Sequence, residues 1–161
     1  MPSTLYNTAT TFLAAFETLS ITTFTSLQAP TYTHMFAPLS ASPSLPLTGT
    51  EFSHHIAQLK DILRGFPVSA REIFENETHN QVTIWATSET WFHEEVKDDT
   101  IPANDWLYHG EYIFILTMDE SGEKIERVIE FLDSKGTDVL RGLMKKAKEN
   151  KAKRMEGKEQ K

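Results

Sequence analysis

The 161-residue sequence contains no cysteine, which excludes a disulfide framework, a thiolate nucleophile and a cysteine-based metal site. It also lacks a run of about 20 apolar residues, the length that a membrane-spanning helix requires. No GxGxxG, P-loop or HExxH pattern occurs, and adjacent histidines on a helix point apart, so neither a nucleotide site nor a metal site is indicated. We therefore expect no metal and no association with a membrane.

Basic residues are scarce in most of the chain. Residues 1–140 hold 7 basic and 20 acidic side chains, whereas residues 141–161 hold 9 basic and 3 acidic ones. An acidic body repels phosphate backbones, so we expect no nucleic-acid partner. We predict a single domain over residues 1–150 and a basic, disordered tail over residues 151–161, with a nucleic-acid or membrane-surface tail as the alternative.

The N-terminal sequence MPSTLYNTATTFLAAF has neither the basic start nor the continuous apolar run of a signal peptide. It also lacks the arginines that are typical of a transit peptide. A cytoplasmic protein is therefore expected.

The spacing of apolar residues predicts helices at both ends of the chain and strands between them. The strand-like segments show a period close to two, which indicates an antiparallel meander. Together these elements predict an α+β domain in which helices pack on one face of a curved antiparallel sheet. The predicted helices span residues 4–27, about 50–64 and 137–150, and the predicted strands span residues 68–77, 81–96, 107–118 and 124–133.

A segment of about 20 residues after the first helix contains four prolines, at positions 30, 38, 43 and 46. Because proline breaks helices, we predict an ordered or mobile connection here. Connections of this length are often functional or lid-like. His34 lies in this segment and could reach over a pocket, with a structural role equally open.

A hairpin between the last two strands brings potential acid and base groups together. A three-residue loop that ends at Gly122 would place Tyr112 opposite Glu130 on one face. Tyr108 lies on the same face, four residues earlier. A carboxylate among aromatic rings has a raised pKa and can move protons, while a phenol can donate to a developing oxyanion. The alternative is that Glu130 bonds to the tyrosine and only stabilises the sheet.

The same register places Phe114 opposite Val128 on the face of Glu130 and predicts that both contact a substrate. On the reverse face it places His109 opposite Asp133, which resembles a base with its orienting acid. The alternative for Asp133 is that it caps the last helix. Trp85 is assigned either to the core or an interface, or to a platform for the substrate.

Several motifs resemble the SnoaL-like group of the nuclear transport factor 2-like superfamily, and more closely a set of small fungal proteins of this type. This resemblance implies a cone-shaped α+β barrel with an internal pocket between the curved sheet and the helices. It also implies a homodimer that forms through the sheet. The motifs that carry it are THMFAP at 33–38, EF at 51–52, FPV at 66–68, VTIWATSET at 82–90, GEYIFIL at 110–116 and KIERVIEFLDS at 124–134.

The resemblance also implies a chemistry. Relatives include polyketide cyclases and fungal isomerases and semipinacol-rearrangement enzymes that work without cofactors, and in the latter tyrosines on the GEY strand and a glutamate on the next strand are implicated. These positions correspond to Tyr108, Tyr112 and Glu130. Some related sites use an arginine in the early loop, and residues 28–38 contain none.

The sequence thus predicts a cofactor-independent isomerase, cyclase or dehydratase that acts on an oxygenated polycyclic secondary metabolite. The alternative is a non-catalytic dimer of the same fold that binds a small ligand or a protein. The predicted catalytic residues are Glu130, Tyr112, Tyr108 and His34, and the predicted substrate-binding residues are Phe114, Val128 and Trp85.

Overall fold

The computed structural model describes residues 1–42 and 44–160, so Pro43 of the proline-containing segment and Lys161 of the basic tail lie outside the described residues. Within these ranges, none of the helices combines the length and apolarity that crossing a membrane requires. The helices are α1 (Thr4–Ala15), α2 (Ile21–Leu27), α3 (Gly49–Lys60) and α4 (Ser134–Glu159). The strands are β1 (Gln28–Ala37), β2 (Leu47–Thr48), β3 (Leu63–Gly65), β4 (Val68–Asn76), β5 (Gln81–Glu89), β6 (Trp91–Phe92), β7 (His109–Met118) and β8 (Ile125–Leu132).

The N-terminal part forms two helices, so the prediction of one helix over residues 4–27 is wrong. Helix α1 ends before Leu19, which has a left-handed backbone with φ of 53°. Ser20 then caps α2 by accepting a hydrogen bond from the Thr23 N–H. The break lets Phe16 and Phe24 meet edge to face, with ring centroids 4.8 Å apart, and this contact begins the aromatic core.

Six strands form the main sheet in the order β2-β1-β8-β7-β5-β4, and β3 pairs with β6 separately. The β1–β8 pair is parallel, unlike the neighbouring pairs in this sheet, so the prediction of a wholly antiparallel sheet is wrong in this detail. Strand β1 lies in the segment predicted as a connection. Its prolines are compatible with pairing because Pro30 falls within an irregularity between Gln28 and Thr33, and Pro38 follows the last residue of the strand.

The register of the β7–β8 hairpin differs from the predicted one by two residues. Tyr112 lies opposite Leu132, and Phe114 lies opposite Glu130. Side chains alternate between the two faces of a strand with a period of two, so an even shift returns each residue to the predicted face. Tyr112 and Glu130 therefore share the inner face, although they are diagonal neighbours.

The shift has its origin in the turn. Gly122 adopts the expected left-handed conformation, with φ of 73°. However, the Asp119 N–H donates to the carbonyl of Lys124 at 2.9 Å, so the loop is one residue longer than predicted. The pairing is also irregular between Thr117 and Met118, and this adds the second residue of the shift.

The inner face of the sheet and the helices enclose the core, whose members include Phe12, Phe52, Ile84, Phe114, Leu116 and Val128. Helix α4 extends to Glu159, beyond the predicted end at Asn150 and into the segment predicted as a disordered tail. The Asn150 side chain donates to the carbonyl of Val96 at 2.9 Å. Lys146 pairs with Asp98 at 3.2 Å. Part of the basic end therefore holds α4 on the acidic body.

Candidate functional site

A cavity of about 170 Å³ lies between the inner face of the sheet, α3 and α4. Most of its lining is aromatic or aliphatic, and a few ionisable groups interrupt it. Such a lining suits an organic ligand that a small number of polar contacts orient. The lining residues are Phe16, Phe36, Ser42, Phe52, His55, Ile56, Leu59, Phe66, Tyr112, Glu130, Leu132, Thr137, Leu140, Arg141 and Met144.

Glu130 is the acidic residue of this lining and is only 7% exposed. It projects from β8 with Phe114 of β7 on one side and Phe36 of β1 on the other. A buried carboxylate needs a hydrogen-bonding partner. Its Oε2 atom has one in the Nε2 atom of His34, at 2.8 Å.

His34 lies on β1 and is fully buried. Its ring stacks on Phe52 with a centroid distance of 4.2 Å and an interplanar angle of 12°. The prediction that His34 reaches over a pocket from a loop is therefore wrong. His34 lies behind Glu130, where it can orient the carboxylate but cannot contact a ligand in the cavity.

Tyr32 completes a buried chain of three polar side chains. Its hydroxyl lies 2.9 Å from Nδ1 of His34. Burial, and secondarily the charge of Glu130, raises the pKa of Tyr32, so the phenol keeps its proton. A phenol that keeps its proton can donate to Nδ1, and in that arrangement the Nε2–H of His34 donates to Glu130. Tyr32 was not predicted as a site residue, although Tyr32 and His34 in TYTHMF have the period of a strand.

The ring of Tyr112 lines the same cavity, but its hydroxyl turns toward β5. It accepts a hydrogen bond from Oγ of Ser88 at 3.2 Å. The hydroxyl of Tyr112 also lies over Gly110, so a Cβ added to Gly110 would be only 2.3 Å from the hydroxyl oxygen. Burial raises the pKa of Tyr112, so the phenol keeps a proton to donate. The carboxylate of Glu130 turns the other way, toward β1, so the two groups share a cavity without forming the predicted direct pair.

Tyr108 lies outside the lining of this cavity as the described residues define it. An added Cβ on Gly136 would be 2.6 Å from its hydroxyl, which places the hydroxyl against the first turn of α4. Burial, and then the charge of Asp133, raises the pKa of Tyr108. Within the described residues Asp133 makes no side-chain capping bond to α4. Tyr108 therefore packs against the start of that helix instead of bracketing a ligand.

The three predicted substrate-binding residues lie away from the described lining. Phe114 and Val128 are in the core, with exposures of 1% and 0%. Trp85 lies on the outer face of the sheet, where its Nε1–H donates to Oε1 of Glu111 at 2.6 Å. Trp85 therefore cannot contact a ligand next to Glu130.

Two ionisable residues of the lining, His55 and Arg141, were not predicted as site residues. His55 projects from α3 and packs edge to face on Phe36 at a centroid distance of 5.4 Å. Burial lowers the pKa of His55, so its ring is neutral at pH 7. Arg141 comes from α4, late in the chain. The absence of arginine from residues 28–38 therefore does not leave the cavity without one.

The predicted pair His109 and Asp133 does share a groove, of about 650 Å³, with Glu111, Arg71 and other residues. It is separate from the cavity of Glu130, because His109 and Glu111 point to the outer face. Nowhere in the described part of the chain do three His, Asp or Glu side chains form a cluster that could hold a metal ion.

No protein-family model and no curated protein matches this sequence. Solved structures do match in three dimensions. The BvnE pinacolase from Penicillium brevicompactum is 20% identical with a TM-score of 0.74, over 89% of this chain and 96% of that one. AusH from Aspergillus nidulans is 23% identical with a TM-score of 0.69, over 83% and 88%.

An ntf2-like protein of unknown function from Burkholderia pseudomallei is 9% identical with a TM-score of 0.64, over 84% of this chain and 95% of that one. At these identities the likeness concerns the fold. The chain therefore has the nuclear transport factor 2-like α+β fold, as the resemblance in its sequence implied.

Proposed function

We propose that this chain is a cofactor-independent isomerase, cyclase or dehydratase that moves a proton within an oxygenated polycyclic secondary metabolite. One observation carries the proposal. The carboxylate of Glu130 borders an apolar cavity, and the buried His34 orients it from behind at 2.8 Å. That the BvnE neighbour is a pinacolase supports a catalytic use of the fold.

Glu130 is the proposed acid and base. Its Oε2 atom is held by His34, so the direction of the carboxylate is fixed while the cavity leaves room for a carbon acid in front of it. In an isomerisation or cyclisation, the carboxylate removes a proton next to a carbonyl group and returns it at another position of the substrate. In a dehydration, it removes the proton next to the carbon that bears the hydroxyl and passes it to that hydroxyl, which leaves as water. Glu130 thus begins and ends the reaction in the same ionisation state, and no external oxidant or reductant is needed.

Tyr112 is the proposed donor to the substrate oxygen on which negative charge develops. Its phenol keeps its proton because burial raises its pKa. Among the described contacts, the phenol oxygen accepts one hydrogen bond, from the hydroxyl of Ser88 at 3.2 Å, so the proton of the phenol is available for the substrate. His34 and Tyr32 are positioning residues, since both lie behind the carboxylate. Tyr108 supports the start of α4.

A substrate-independent assay tests the role of Glu130. A nitrobenzisoxazole is a compact carbon acid: a base removes its ring C–H proton, the N–O bond breaks and a coloured cyanophenolate forms. We expect the wild-type protein to accelerate this reaction and Glu130→Gln to reduce the acceleration by about 10²-fold. Glu126→Gln, which replaces an exposed glutamate of the same strand, is the matched control and is expected to behave as wild type.

Equal rates for wild type and Glu130→Gln, in proteins with matching circular dichroism spectra, would show that Glu130 is not an accessible base. Once a natural substrate is known, Glu130→Gln and Tyr112→Phe are expected to lower its turnover. Unchanged turnover in both variants would discard the assignment.

We also propose that the chain forms a homodimer through the outer face of the sheet. Four large apolar side chains are exposed on this face. A group of this kind on one sheet is typical of an association surface, and a second copy of the chain can present the same group in return. The four are Phe74 at 56%, Trp85 at 38%, Ile113 at 37% and Phe131 at 49% exposure.

A further inference from the structure

We propose that Arg141 selects the substrate by binding a carboxylate at the mouth of the cavity, while a single ring of the substrate enters toward Glu130. This inference rests on the proposed function, because it assumes that the cavity of Glu130 is the binding site. It adds the size of the entering group, its charge and its orientation.

The size follows from the volume. The cavity measures about 170 Å³, and an apolar cavity of about 150 Å³ engineered into another protein binds benzene. One six-membered ring with a small substituent therefore fills the space. The aromatic walls that Phe36, Phe52 and Phe66 provide favour a flat ring. The rest of a larger substrate would remain at the mouth.

The charge follows from the ionisable groups of the lining. Among the described lining residues, Arg141 is the one cation and Glu130 the one acid. His55 is neutral at pH 7 because burial lowers its pKa. A substrate carboxylate next to Glu130 would be repelled, whereas Arg141 attracts it. The reacting carbon therefore faces Glu130 and the anionic end faces Arg141.

Arg141 is positioned to bind such a group. Its side chain is 47% exposed, so it lies at the opening and not in the interior. One Nη atom donates to the carbonyl of Ala41, and the other lies 3.4 Å from a carboxylate oxygen of Asp138. A guanidinium carries five N–H donors, more than these two acceptors use. The contact with Ala41 holds it in place, which reduces the entropy lost when it binds a ligand.

Matched ligands test the inference without any turnover. Benzoate and benzamide have the same ring and nearly the same shape, but only benzoate is charged. Calorimetric titration is expected to show that the wild-type protein prefers benzoate. Arg141→Gln is expected to weaken the affinity for benzoate about fivefold, which is the effect of losing a solvent-exposed charge pair. The affinity for benzamide is expected to change less than about twofold.

Two further variants serve as controls. Arg141→Lys keeps the charge and is expected to keep part of the preference. Lys153→Gln removes the same charge from an exposed position three turns further along α4, away from the lining, and is expected to bind both ligands as wild type does.

Three results would overturn the inference. The wild-type protein could fail to bind benzoate, it could bind benzoate no more tightly than benzamide, or Arg141→Gln could lose affinity for both ligands equally. The last result would mean that Arg141 only holds the segment around Ala41. Failure of the proposed function is distinguishable, because it concerns turnover. Glu130→Gln is expected to bind benzoate at least as tightly as wild type, since a repulsive charge is removed, while it loses the reaction with nitrobenzisoxazole.

Discussion

Replacing His34 by leucine is the most direct test of the buried network. The change removes the partner of two groups at once: the hydroxyl of Tyr32 at 2.9 Å and the carboxylate of Glu130 at 2.8 Å. Leucine fills much of the space beside Phe52, so the loss of polar contacts dominates. The variant therefore measures what the network contributes to the free energy of unfolding.

The magnitude follows from the two orphaned groups. A buried hydroxyl without a partner costs about 1–3 kcal/mol, and removing one partner of a fully buried charged pair costs about 3–5 kcal/mol. Glu130 borders the cavity, so water can replace part of the lost bond there. We therefore expect His34→Leu to lower the free energy of unfolding by about 3 kcal/mol.

Glu130→Gln supplies the contrast. The side-chain carbonyl of the glutamine can still accept a hydrogen bond from the Nε2–H of His34. The substitution also removes the negative charge of Glu130, a residue that is only 7% exposed. We expect it to change the free energy of unfolding by less than about 1 kcal/mol, in either direction. The pair of variants thus separates the structural role of His34 from the chemical role of Glu130.

Urea unfolding followed by circular dichroism measures both effects. With an m-value of about 2 kcal/mol/M, a loss of 3 kcal/mol moves the midpoint by about 1.5 M. Protein concentration is held constant, since association would add to the apparent stability. A midpoint for His34→Leu within about 0.3 M of wild type, or an equal loss in Glu130→Gln, would refute the reasoning.

Phe131→Glu is expected to dissociate the proposed dimer, and sedimentation velocity that shows one unchanged species for both proteins would contradict it. Burial raises the pKa of Tyr32 and of Tyr112 in the folded protein. The stability that the two phenols contribute is therefore full below about pH 10, the pKa of tyrosine in the unfolded chain, and is lost as the pH rises further. Tyr112→Phe is expected to make this loss of stability smaller in unfolding experiments between about pH 9 and 11. Gly110→Ala places a Cβ 2.3 Å from the hydroxyl of Tyr112, so it is expected to cost about 1–3 kcal/mol. Combination with Tyr112→Phe is expected to restore only part of this loss, because Oγ of Ser88 at 2.7 Å still crowds the added Cβ; additive losses in thermal unfolding would argue against the clash with the hydroxyl.

Local sequence signals were sufficient for most helices and strands. The stretch that begins at Thr48 contains a full capping box with Glu51 and a following apolar stripe, so α3 was found to within two residues of its start. Strands β4, β5, β7 and β8 carry their own alternation. These elements are set by residues close in the chain, and pattern analysis detects such residues.

Strand β1 was missed because its pairing has no local signal. It lies parallel to β8, and the hydrogen-bonded residues His34 and Glu130 are 96 positions apart. Four prolines in the surrounding segment argue against a strand when only neighbours in sequence are considered. The pattern Tyr32-x-His34-x-Phe36 has the period of a strand, but only the position beside β8 gives it a buried partner.

The consequences of the two errors for the site differ, and the geometry of a sheet explains why. The hairpin register was wrong by two residues, which preserves the face of every side chain, so Glu130 and Tyr112 still reach one cavity. The missed strand changed the chemistry more, because the carboxylate takes its hydrogen bond from β1 and not from β7. With Tyr112 as its partner, Glu130 would compete for the proton that the substrate oxygen needs. With His34 as its partner, the carboxylate is oriented from behind and Tyr112 keeps its proton, so the two groups can act on different atoms of one bound molecule.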